Sequence, residues 1–159
     1  MEIHSSHIHS PLGNILLQCN DEFITAIKFV EEDFTPRGNQ HPLLLKCKHQ
    51  LEQYFSGSLQ QFDIPLQQNG TAFQQKTWDL LVKIPFGKTI SYHQLSQQYG
   101  DAKAIRALAS ANGKNNIAIM VPCHRVIGSN GSLTGYAGGL WRKNWLLEHE
   151  MKCKQSSLF

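Results

Sequence analysis

The chain has 159 residues, enough to bury one core or two small ones, and its 15 Lys+Arg against 12 Asp+Glu leave a net charge of only +3. The charge is unevenly placed: residues 1–72 hold 4 basic and 8 acidic side chains (net −4), residues 73–159 hold 11 and 4 (net +7), so the second part is the one suited to a polyanion. Four cysteines without CxxC spacing, no basic-then-apolar start in MEIHSSHIHS and no apolar run near the ~18 residues of a membrane span argue against a disulfide scaffold, a secreted chain and a membrane protein. Free thiols in a reducing compartment are expected: the cytoplasm of a bacterial-type cell, or the nucleus if the source is eukaryotic.

In chain order, three short strands are predicted at Ile3 to His9, Asn14 to Cys19 and Phe23 to Val30, with turns at Ser10-Pro11-Leu12-Gly13 and Asn20-Asp21, forming an antiparallel meander. After the loop EEDFTPRGNQ, the segment HPLLLKCKHQLEQYFSG carries Leu44, Cys47, Leu51, Tyr54 and Phe55 at helical spacing and stops at Gly57. LQQFDIPLQQNG has no period and reads as a linker, dividing the chain into an α/β part, 1–70, and a mostly helical part, 71–159. Thr71 can cap a helix bearing Phe73, Thr77, Trp78, Leu81 and Val82, which Pro85 and Gly87 end, and Lys88-Thr89-Ile90 can extend briefly. Ser91 caps a helix through Tyr99, stopped by Gly100; Asp101 opens another, with Ile105, Leu108 and Ala109 on one face, closed by Gly113. Two short helices about a glycine turn form a helix-turn-helix pattern. Its second helix carries Ala104, Ala107, Ser110 and Ala111 where a base reader carries long polar side chains, so its backbone can approach either a packed helix or a nucleic-acid groove whose bases are not read singly.

Next comes IMVPCHRVIG, in which Pro122 interrupts an apolar run directly before Cys123, His124 and Arg125. On a regular strand neighbouring side chains point to opposite faces, so a cooperating thiol and imidazole need a bend, which Pro122 supplies ahead of a short strand, Arg125 to Ile127. The pair alone leaves two readings open, a small buried cysteine or a nucleophile with its base.

The motif VPCHRVIG, with FQQKTWDLLVKIPFGKTISYHQLS upstream and GYAGGLWRKNWLLEHE downstream, closely resembles the O6-alkylguanine-DNA alkyltransferases, also called methylated-DNA-protein-cysteine methyltransferases, from about Thr71 to Glu150. The meander with SPLG fits the family's smaller domain more loosely. The resemblance implies a ribonuclease-H-like α/β N-terminal domain and a C-terminal winged helix-turn-helix whose wing is GSNGSLTGYAGG. It also implies a monomer that takes an alkyl group from O6-alkylguanine, and from O4-alkylthymine, in duplex DNA, once per molecule and without a cofactor. By the same resemblance Cys123 attacks the alkyl carbon, His124 takes the thiol proton through a water, and Glu150 holds the imidazole. Asn115 braces the turn before the cysteine, Tyr92 donates its phenol to the extruded guanine, and Arg106 fills the space left in the duplex. Tyr136 walls the pocket, backbone groups near Val126 and Ser129 meet the base together with Ala137 and Gly138, and Ala107 and Ser110 face the DNA.

Some positions depart from the family pattern. Ala137 stands where some members have serine, so a backbone amide must serve the lesion oxygen, and Asn116 stands where proline is common. Some relatives bind zinc in the N-terminal domain, but Cys19, Cys47, His4, His7, His9, His41 and His49 match no such set, and no metal is expected; His7 and His9 read as the solvent face of a strand. Two other functions stay in view: a module that recognises alkylated DNA and recruits other factors, which Cys123 argues against, and a Cys-His hydrolase, whose base normally comes from a distant point in the chain.

Overall fold

A computed structural model describes residues 2–31, 38–133 and 135–156. Part of the loop EEDFTPRGNQ, Thr134 of the glycine-rich segment and the last three residues lie outside the described residues. Contacts divide the chain into two compact units, residues 1–68 with 116–118, and 69–115 with 119–159.

In the first unit, β1 (His4–Ser10), β2 (Gly13–Cys19) and β3 (Ile24–Val30) form an antiparallel sheet in sequence order. Alternation sets its faces: Ser6 and Ile8 on β1, and Ile15, Leu17 and Cys19 on β2, are buried. The helix α1 (Pro42–Ser56) packs against the sheet through Leu44, Cys47, Leu51 and Tyr54. Phe55, expected on that stripe, is only half-buried, and Gln50 takes the inward place because its amide exchanges hydrogen bonds with the backbone of Asp63. His7 is half-buried and His9 exposed.

The presumed linker is partly structural. The Ile24 N–H donates to Pro65 O (2.9 Å) and the Gln67 N–H to Ile24 O (3.0 Å), while further along β3 the Ile27 N–H donates to Asn116 O (2.9 Å) and the Ala118 N–H to Ile27 O (3.0 Å). Two short parallel segments therefore satisfy the edge of β3, a pairing that periodicity in LQQFDIPLQQNG could not disclose because it is made by backbone groups.

In the second unit, α2 (Ala72–Leu81) starts with a reciprocal capping box between Thr71 and Gln74. Trp78 anchors it by donating from Nε1 to Ala111 O (2.9 Å). Gly70 is needed for that packing, since a Cβ there would lie 2.5 Å from the Trp78 ring. Of the extended piece expected at 88–90 only Ile90 is in a strand: β4 (Ile90–Ser91) pairs in parallel with β5 (Val126–Ile127). A second capping box, Ser91 with Gln94, starts α3 (Tyr92–Tyr99), and Gly100 ends it at φ 99°. Asp101 caps a single 3-10 turn that runs into α4 (Ile105–Gly113). The buried face in this stretch is Ala104, Leu108, Ala111 and Asn112, rotated from the expected Ile105, Leu108 and Ala109; Ile105 and Ala109 are half-buried. The last helix, α5 (Leu140–Ser156), carries Arg142, Lys143, Leu146 and Glu150 inward. None of the described helices is long and apolar enough to cross a membrane.

Candidate active site

The bend before Cys123 is an inverse γ-turn. Pro122 sits at φ −81°, ψ 62°, and the Cys123 N–H donates to Val121 O at 2.8 Å. Ahead of it, Ile119 adopts φ 71°, an uncommon state for a β-branched residue, and Asn115 Nδ2 donates to Val121 O (2.9 Å), bracing the same turn. Residues Cys123–Arg125 then form one 3-10 turn closed by Arg125 N–H to Pro122 O (3.0 Å). Arg125 is thus in the turn and not at the start of a strand as expected; its guanidinium is drawn back to α5, which is incompatible with the alternation of a strand.

The turn solves the geometric problem in the motif. His124 is fully buried and its Nε2 lies 2.7 Å from Glu150 Oε2, while Cys123 is 7% exposed; burial, and after it the charge that Cys123 would carry, raise the phenols of Tyr92 and Tyr136. Glu150 is 1% exposed and also accepts from Arg125 Nε (2.8 Å) and Nη2 (3.0 Å) and from the Gly87 N–H (3.2 Å). Arg125 Nη1 donates to Ile84 O (2.7 Å), completing its fork. Burial alone would raise the Glu150 carboxyl, but the hydrogen bonds from His124 and Arg125 and the Arg125 charge outweigh it and hold the group well below the usual carboxylate range. Burial lowers the His124 imidazole despite Glu150, so the ring rests neutral, with Nε2–H donating to Glu150; Nδ1 has no partner among the described residues. Burial also raises the Cys123 thiol, offset in part by a hydrogen bond from Asn115 and the charge of Lys143. Cys123 therefore rests as a neutral thiol, not as the standing thiolate that an activated cysteine suggests.

A pocket of about 580 Å³ is lined by Tyr92, Ile105, Arg106, Ala109, Asn112, Gly113, Ser129, Gly135, Tyr136 and Ala137, and Asn112 of this wall donates to the Cys123 carbonyl. Five of the expected residues, Tyr92, Arg106, Ser129, Tyr136 and Ala137, thus share one cavity. Ala107 and Ser110 are exposed on α4 beside it, with Lys103 and Lys114 exposed at its two ends. Gly138 is half-buried and accepts from Arg142 Nη1 at its carbonyl (2.8 Å). Val126 is less available than expected: its N–H donates to Cys123 O and its carbonyl accepts from Lys143 Nζ at 2.7 Å.

Residues 72–152 match the family described as 6-O-methylguanine DNA methyltransferase, DNA binding domain, and residues 3–68 match its ribonuclease-like domain. The chain belongs to the 6-O-methylguanine DNA methyltransferase family. A Mycobacterium tuberculosis methylated-DNA–protein-cysteine methyltransferase is 44% identical over 152 residues, covering 93% of this chain and 92% of that one. The constitutive enzyme of that name from Bacillus subtilis is 42% identical, covering 81% and 83%. A crystal structure of the M. tuberculosis OGT in complex with DNA matches with TM-score 0.83 at 42% identity over 92% of each chain. The family membership fixes the fold class as a ribonuclease-like α/β domain followed by a mostly helical DNA-binding domain, in agreement with the sequence reading.

Within this family member, three residues not singled out from sequence bear on the site. Arg125 neutralises Glu150, Lys143 places a buried ammonium near the thiol, and Asn112 joins Tyr92 to Cys123. Arg125 had a signal, its place inside PCHRV, whereas Lys143 and Asn112 look in sequence like an ordinary basic helix residue and a helix-end asparagine.

Proposed function

We propose that the chain repairs alkylated DNA directly by moving an alkyl group from O6-alkylguanine to Cys123. The observation that carries this reading is the buried Glu150–His124 pair next in the chain to Cys123, whose carbonyl is held by Asn112 of a cavity wall, beside the exposed small residues Ala107 and Ser110 of a helix flanked by lysines. His124, anchored at Nε2, accepts the thiol proton at Nδ1 through a water, and Glu150 stabilises the imidazolium that forms. Because Cys123 starts neutral, this proton transfer accompanies the approach of the substrate, and the Lys143 ammonium favours the thiolate as it forms. The sulfur–carbon bond then forms as the carbon–O6 bond breaks; O6 becomes a carbonyl, and an equivalent of the thiol proton returns to N1 of the departing guanine. Tyr92 donates to the purine as negative charge develops there.

The cavity accepts a base only if it leaves the duplex, and Arg106, exposed at the rim, takes its place in the stack. Ala107 and Ser110 allow close approach of α4 without reading sequence. O4-alkylthymine has the same alkyl–oxygen bond beside a ring nitrogen and is the second substrate this chemistry admits.

The product thioether has no acidic proton and no good leaving group, so each molecule acts once. The test is titration of protein against an excess of duplex containing O6-methylguanine. Repair is expected to stop at one equivalent, with one methyl group added to the peptide carrying Cys123; continued turnover, or binding with no gain in mass, would refute the reading, the latter in favour of a recognition module.

A further inference from the structure

The inner face of the first unit's sheet turns polar at one end. His4 sits directly opposite Cys19 in the pairing of β1 with β2, and residues so paired share a face, so its imidazole follows the buried Ser6 and Ile8 onto the side that α1 covers. His41, the N-cap of α1, packs against it with ring centroids 4.6 Å apart and planes at 35°. Asp21, in the turn between β2 and β3, brings Oδ1 to 3.5 Å from His4 Nε2. One nitrogen or oxygen from each of these three side chains lies within 4.8 Å of the other two, and all three residues belong to the first unit. Their backbones are fixed by neighbours. Asn39 donates from Nδ2 to Ser5 O (3.2 Å) and accepts the His41 N–H at Oδ1 (2.9 Å), which ties the start of α1 to β1. Asn20 Oδ1 accepts from the Glu22 and Phe23 N–H groups (2.9 and 2.8 Å) and closes the turn that carries Asp21.

The separation of His4 and Asp21 is long for an N–H···O hydrogen bond but close to the roughly 3.3 Å between a nitrogen and an oxygen bound to one tetrahedral zinc ion. Two imidazoles and a carboxylate are also the donor set that divalent transition ions take. We propose that His4, Asp21 and His41 bind a divalent transition ion of the zinc type, which clamps β1, the β2–β3 turn and the start of α1 together. This is a different set from the one that holds zinc in some relatives: its third ligand is a carboxylate, and Cys47 lies outside it. Binding has a local cost that marks it. His41 Nδ1 accepts the Leu43 N–H at 3.2 Å and lies 3.6 Å from Cys19 Sγ. An ion on Nδ1 takes that lone pair outright; an ion on Nε2 moves the ring hydrogen to Nδ1, where the Cys19 sulfur can accept it. On both routes Leu43 gives up its acceptor.

The experiment titrates the chelator-treated full chain with Zn²⁺, read by calorimetry, thermal melting and ¹⁵N amide spectra. The parent is expected to bind zinc at this site, to melt about 5 °C higher at about 100 times the dissociation constant, and to show a shifted Leu43 amide. His4→Gln and Asp21→Asn should each weaken that binding by at least about a hundredfold, the upper end of what loss of an outer partner alone costs. Neither side chain is buried, so melting without zinc should match the parent in both. His41→Asn, which keeps an acceptor for the helix cap, should lose the ion in the same way. Cys123→Ser and Cys153→Ser, outside the site, should bind as the parent does. No zinc uptake by the parent, an unmoved Leu43 amide, or undiminished binding in His4→Gln or Asp21→Asn overturns the proposal, the last by marking the zinc as adventitious on other side chains. Should either variant melt lower without zinc, the Leu43 shift in the parent decides.

Discussion

Replacing Glu150 with Gln changes one charge and almost no volume, and its effect can be worked out from the contacts. The carboxylate accepts hydrogen bonds from His124, from two nitrogens of Arg125 and from the Gly87 N–H. A glutamine offers one oxygen to these donors and turns an NH2 group toward the rest, so Arg125, itself buried, keeps its charge and loses its counter-ion. Breaking a buried pair in this way costs about 3–5 kcal/mol, a large share of the roughly 5–15 kcal/mol that holds a protein of this kind folded. Melting should shift down by about 10 °C, and the urea midpoint should fall with it. Transfer should slow by about 10²–10⁴, since His124 loses the anchor that sets its tautomer. Adding Arg125→Met to Glu150→Gln removes the stranded charge, so the double variant is expected to regain stability relative to Glu150→Gln but not activity. An unfolding midpoint equal to that of the parent in Glu150→Gln, or a double variant with additive losses, would refute the argument that the ion pair is held by mutual compensation.

Three further outcomes follow from the same site. Because burial raises the Cys123 thiol, iodoacetamide should label it more slowly at pH 7 than it labels a small free thiol, with the rate climbing as pH passes 9; fast, pH-independent labelling would show a standing thiolate instead. Stability should fall on acidification in two stages. His124 has a folded pKa below its ordinary 6.5, so the unfolded chain binds that proton first and the fold loses ground below that pH; the contribution of Glu150, whose folded pKa lies below the ordinary 4.5, is complete above that value and lost only further down. Urea unfolding at pH 7.5, 5.5 and 4 checks this, and equal or rising stability from 7.5 to 5.5 contradicts it. Arg106→Ala should slow repair of duplex DNA by tenfold or more while leaving the reaction with free O6-methylguanine nearly unchanged; equal slowing of both would place Arg106 in pocket integrity and not in base extrusion.

Much of this molecule is legible along the chain because its signals are local. The capping residues Thr71, Ser91 and Asp101 and the stop at Gly100 mark helix ends within about one residue, since a cap is a hydrogen bond between near neighbours. The motif around Cys123 points to its partners by its resemblance to a family, and periodicity marks the meander and α1. What depends on atoms brought together from distant positions is not written in any window of the sequence. The face of α4 that turns Ile105 and Ala109 to the cavity and Asn112 to Tyr92 is set by packing against α2 and α3, which no local period records. The pairing of residues 65–67 and 116–118 with β3 uses backbone groups that every residue carries. The neutral resting state of Cys123, the ionised state of Glu150 and the buried charges of Arg125 and Lys143 are set by desolvation and by neighbours up to 63 positions away, a balance that exists only once the chain has closed around them.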